Sequence, residues 1–116
     1  MISNGEDQGS SGGTLDDLLA RAVADELKRD HDRLRIPLEN IARWLAQGDV
    51  SSPVWLERWR DLLERAREDE AALDRVLELL RSDTPEARRW REFSPFAGVL
   101  SPAKRRDVIR QCNYSH

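Results

Sequence analysis

The chain has 116 residues, 39% apolar and 35% charged, with a formal net charge of −3 and one cysteine. That length fits one domain, and no apolar run nears the roughly 20 residues that a membrane span needs, so no membrane partner is expected. Cys112 alone cannot form an internal disulfide, and residues 1–13 lack the basic start and apolar middle of a secretion signal, so the expected location is cytoplasmic.

The charge is unevenly distributed. Residues 1–80 carry 11 Lys and Arg against 18 Asp and Glu, and residues 81–116 carry 8 against 4, giving balances of −7 and +4. A basic end can meet phosphate or an acidic protein surface, although Arg and Lys also simply solvate outer helix faces.

In chain order, the Gly- and Ser-rich opening offers nothing to bury, so residues 1–13 are expected as a disordered tail and residues 14–116 as the helical domain. Thr14 stands three before Asp17 in a capping-box-like arrangement, and Leu15, Leu18, Leu19, Ala22, Val23 and Leu27 then recur at helical spacing to about Lys28. From Asp30 to Gly48 the stripe Leu34, Leu38, Ile41, Leu45 continues; Pro37 should start or kink that helix, and Gly48 should end it.

Ser52-Pro53, Thr84-Pro85 and Ser101-Pro102 each place a hydroxyl cap before a proline at the first helical position. Trp55, Trp59, Leu62, Leu63 and Ala66 follow Pro53, and Leu73, Val76, Leu77 and Leu80 continue the pattern after an acidic interruption at Glu68, Asp69 and Glu70, where a break is expected. A short helix after Pro85 should carry Trp90 and Phe93. The last helix, after Pro102, should carry Val108, Ile109 and Cys112. No strand pattern occurs, and the expected fold is all-α, a compact bundle of about five short helices.

The residues point away from catalysis. His31 and Asp32 form a His-Asp pair, but the only other histidine is His116, too few for a metal phosphohydrolase site. Cys112, in step with Val108 and Ile109, reads as a small core hydrophobe. The carboxylates Asp16, Asp17, Glu26, Glu57, Asp61, Glu64 and Glu78 are spaced as solvated faces, and neither a phosphate-cradling glycine loop nor a nucleophile elbow is present. The expectation is a non-enzyme without metal or cofactor.

Contact chemistry is better represented. Residues 88–102 set Phe93, Phe96, Val99 and Leu100 in a stretch that Pro95 and Gly98 keep from being one regular helix. Loops normally run over the surface, so these side chains either plug the domain's own core or fill a pocket on something else. The same two readings apply to Trp44, Trp55, Trp59 and Trp90: core of a small bundle, or members of a partner-binding face where Trp and Arg dominate. The candidate partner-binding set is Trp55, Trp59, Trp90, Phe93, Phe96, Val99 and Leu100.

The series Asn40-Ile41-Ala42-Arg43-Trp44-Leu45, Trp55-Leu56-Glu57-Arg58-Trp59-Arg60-Asp61-Leu62-Leu63, Ala87-Arg88-Arg89 and Ser94-Pro95-Phe96-Ala97-Gly98-Val99-Leu100-Ser101 resembles a group of small bacterial helical proteins encoded beside nucleotidyltransferase-like genes. The resemblance spans roughly residues 38–110, and the block from Ser94 to Leu100 is its most specific part. It implies the antitoxin of a toxin and antitoxin pair. This chain departs from the group at Pro37 and at Arg67 to Glu70, where members turn on Gly-Pro.

Two functions are therefore expected as alternatives. One is an inhibitory or regulatory protein that covers the cleft of a nucleotidyltransferase-like toxin with Phe93 to Leu100 and docks acidic helix faces on it. The other is a small nucleic-acid binder or transcription regulator using Lys104, Arg105, Arg106 and Arg110. A net acidic domain argues against a major-groove reader, so nucleic acid is expected to bind weakly. A homo-oligomeric scaffold is a third, weaker expectation.

Overall fold

A computed structural model describes residues 15–48 and 53–114. The expected tail, Thr14 and the Ser52 cap lie outside them.

Six α-helices and one 3-10 turn make up the described fold, and no strand occurs among the described residues. Helix α1 (Leu15–Arg29) begins with Asp16 and Asp17 and ends with Lys28 and Arg29, charges that complement the helix dipole. Its Ala22, Val23, Ala24 and Leu27 are buried. Asp30 then ends the helix and caps a 3-10 turn (His31–Leu34), accepting from the Asp32 amide at 3.1 Å.

Helix α2 (Arg35–Gln47) follows directly, with Pro37 buried in its first turn, where a missing amide proton costs nothing. It stops at Gly48, whose φ of 69° is the left-handed conformation expected there. Helix α3 (Pro53–Ala66) and helix α4 (Glu70–Arg81) are separate, as the acidic interruption implied. Asp69 restarts the chain by accepting from the Ala71 amide at 3.0 Å.

Helix α4 is the centre of the bundle. It buries Ala72, Leu73, Val76, Leu77, Leu79 and Leu80 and packs against α1, α3 and helix α5 (Pro85–Arg91). Thr84 caps α5 by accepting from the Ala87 amide at 3.1 Å. Helix α6 (Pro102–Tyr114) is capped by Ser101, whose Oγ accepts from the Lys104 amide at 3.1 Å. It lies on α1 and buries Val108.

One boundary differs from expectation. Helix α5 stops at Arg91, so Trp90 is helical but Phe93 lies in the turn beyond. Pro95 explains the stop, since its ring removes a donor and pushes the preceding residue out of helical geometry.

Candidate functional site

The irregular chain between α5 and α6 is the part of the molecule that propensity alone does not explain; side chains from α2 and the 3-10 turn hold it, and one from α3 holds the end of α5 that leads into it. Asn40 on α2 donates from Nδ2 to the carbonyl oxygens of Pro95 at 2.9 Å and Ala97 at 2.8 Å. Arg33 on the 3-10 turn donates to the carbonyl of Val99 at 3.0 Å. Trp59 on α3 donates from Nε1 to the carbonyl of Trp90 at 2.9 Å. Asn40 and Arg33 satisfy loop acceptors that would otherwise lack a partner, whereas the Trp90 carbonyl belongs to α5 and also accepts from the Phe93 amide.

The clamps are themselves oriented. Arg43 donates to Asn40 Oδ1 at 2.6 Å, which fixes the amide so that Nδ2 faces the loop. Arg33 Nε lies 3.4 Å from Glu26 Oε1, and Glu26 is hydrogen-bonded to Arg29. That Arg29 bond, opposed by burial and helped by the Arg29, Arg33 and Lys104 charges, holds the Glu26 carboxyl below the ordinary carboxylate range. Gly98 sits at φ 92°, a conformation that side chains rarely adopt, and lets the loop turn beside Ile36.

The candidate contact residues divide into two sets. Trp59 and Val99 are fully buried and Phe96 is 5% exposed, so these three belong to the domain's own core. Their candidate role in direct partner contact is corrected accordingly: the segment turns Phe96 and Val99 inward because its carbonyls are fastened to α2 and the 3-10 turn. Trp59 lies edge-to-face with Trp90 at 4.9 Å and with Phe96 at 5.0 Å, joining α3, α5 and the loop in one cluster.

Trp55, Trp90, Phe93 and Leu100 remain partly exposed. Trp55 and Phe93 stack face to face, 5.6 Å between ring centres and 2° from parallel. Trp90 meets Trp55 edge-on at 5.5 Å, and the Arg58 guanidinium lies 4.6 Å from the Trp55 ring centre. Val54, the residue before Trp55, is 54% exposed. This corner thus offers three part-buried aromatic rings, one exposed aliphatic side chain and an arginine.

The basic candidates lie elsewhere. Lys104, Arg105, Arg106 and Arg110 are all exposed on α6, and Arg110 reaches Asp107 at 3.5 Å. His31 and Asp32 are exposed on the 3-10 turn, and Cys112 is half-buried on α6. Among the described residues no three His, Cys, Asp or Glu side chains gather so as to hold a metal ion, and no helix is long and apolar enough to cross a membrane.

Sequence reasoning missed Asn40 and Arg33 as loop clamps. A signal existed for Asn40: it shares the inward face of α2 with Pro37 and Ile41, and a buried amide must find partners. Arg33 gave none, because its partner is 66 residues away. The chain matches no protein-family model, no curated protein and no solved structure.

Proposed function

We propose that this protein is a non-catalytic binding protein that inhibits or regulates a protein partner, the antitoxin of a nucleotidyltransferase-like toxin. The observation that carries the reading is the Trp55–Phe93 stack, left partly open to solvent beside a loop pinned at three carbonyls. Aromatic rings held in a fixed pose lose little entropy on docking, which is what a hot spot requires. The contact set that follows is Trp55, Trp90, Phe93 and Leu100, with Arg58 beside it. Phe96, Val99 and Trp59 support that face from beneath.

The toxin as partner rests on the resemblance of residues 38–110 to proteins encoded beside nucleotidyltransferase-like genes. The test is co-expression of the chain with the product of the adjacent gene: co-purification at defined stoichiometry and loss of that product's toxicity are expected. Separate elution together with undiminished toxicity would refute the proposal.

A further inference from the structure

Helix α6 is joined to the molecule differently from the other helices. Helices α1 to α5, the 3-10 turn and the loop all place side chains in one continuous apolar core, and among the described residues α6 places none there. The buried apolar side chains outside that core, among the described residues, are Ala22 on α1 and Val108 on α6, the two helices that pack on one another. Ile109 and Cys112 are half-buried, and Pro102 to Asp107 are all exposed. The seam that holds α6 is therefore thin.

The helix is also poorly supported from within. Lys104, Arg105 and Arg106 follow one another at its start, where the positive end of the helix dipole disfavours cations, and neither an acidic residue in the first turn nor a basic one in the last offsets them. None of the three closes a salt bridge among the described residues, and Arg110 pairs with Asp107 of its own helix at 3.5 Å. Lys104 acts on the Glu26 carboxyl of α1 as a more distant charge. A helix of 13 residues is marginal in water unless tertiary packing holds it.

The chain just before α6 is fixed. Arg33 holds the Val99 carbonyl, Val99 is fully buried, and Leu100 packs on the core. Ser101 is exposed, so the junction between firmly and weakly held chain falls there. We infer that α6 is a releasable strap, which opens from α1 about Ser101 as one unit while α1 to α5 and the loop stay folded, and so bares the Ala22 side of α1. Local opening of this kind belongs to the segment with the least buried apolar contact. The Trp55–Phe93 stack lies on chain that stays folded, so the strap and the antitoxin reading stand or fall separately.

Native-state hydrogen exchange of the full chain tests the strap. Amides of α6 should be protected about tenfold or more over an unfolded chain, yet exchange about tenfold or more faster than those of α4. Val108→Ala removes the buried side chain of the seam and should speed exchange in α6 about tenfold. Val76→Ala, in the core face of α4, is the discriminating variant, because the packing it weakens is kept when only α6 opens. It should speed exchange in α4 about tenfold and leave α6 within about twofold. Equal protection of α6 and α4 in the wild type, or equal acceleration of both by Val76→Ala, would mean that α6 opens only with the whole domain and would overturn the inference. So would exchange of α6 at the unfolded-chain rate, or α6 exchange unchanged by Val108→Ala.

Discussion

Asn40 holds the carbonyl of Pro95 at 2.9 Å across 55 residues of chain, and with its bond to Ala97 it ties the inner face of α2 to the loop before α6. It is the one polar side chain in the buried set among the described residues. A buried polar group with all partners in place specifies a conformation, whereas an incomplete set is costly.

Replacing Asn40 tests this directly. Asn40→Leu strands the Pro95 and Ala97 carbonyls, and an unpaired buried acceptor costs about 1–3 kcal/mol, so a loss of about 2–4 kcal/mol is expected in urea unfolding. Asn40→Asp replaces the donor with an acceptor and should cost at least as much. A change under about 0.5 kcal/mol in both variants would show that the loop does not depend on the clamp.

The caps at Thr84 and Ser101 make a smaller, sharper claim. Each hydroxyl accepts from the amide three residues on at 3.1 Å, so Thr84→Ala and Ser101→Ala should each lower stability by about 1 kcal/mol. Glycine at either position should cost less than alanine. No measurable loss in either alanine variant would indicate that the hydroxyl bond does not stabilise the helix start.

These local features were legible in the sequence because each is decided within four residues: the Thr84-Pro85 and Ser101-Pro102 pairs, the left-handed Gly48, and the break at Arg67 to Asp69 that Asp69 itself caps. The aromatic pattern was only half legible. Trp55 and Trp59 are one helical turn apart on the same stripe, yet Trp59 is fully buried and Trp55 is partly exposed. Trp90 meets both rings; what separates them is the Trp90 carbonyl and Phe96, 31 and 37 residues beyond Trp59, which Trp59 reaches, and no periodicity within α3 can reveal them. The same holds for Phe93, which leaves α5 because of Pro95 and then finds Trp55. In the candidate site, the inward face of α2 marked Asn40 as a buried amide in need of partners but not which ones, and Arg33 gave no signal, because the partners of both are backbone carbonyls, which any residue carries.

Burial separates the aromatic residues energetically. Phe96→Ala should cost about 3–5 kcal/mol, the range for truncating a buried phenylalanine. Trp55→Ala and Phe93→Ala should each remove about 1 kcal/mol from the stacked and edge contacts and leave the circular dichroism spectrum helical. An equally unstable Trp55→Ala would place the stack in the folding core and not on a contact face.

Glu26 predicts a pH dependence. Its folded value lies below its ordinary one, chiefly through the Arg29 hydrogen bond, so its stabilisation is present above the ordinary carboxylate range and is lost as pH falls through the lowered value. Stability of the wild type should therefore fall on acidification through and below that range, and Glu26→Gln should flatten part of the fall while lowering stability at neutral pH. Parallel stability curves for the two proteins would exclude Glu26 as a contributor.

The central claim is that the Trp55–Phe93 stack is an anchor for a protein partner. The most direct measurement is isothermal titration of the adjacent gene's product with the wild type and with the double variant Trp55→Ala, Phe93→Ala, after each has been shown to be folded by its melt. The account predicts that the folded double variant loses about 2 kcal/mol or more of binding, the size of a central aromatic hot spot. Binding at wild-type strength by a folded double variant would contradict it.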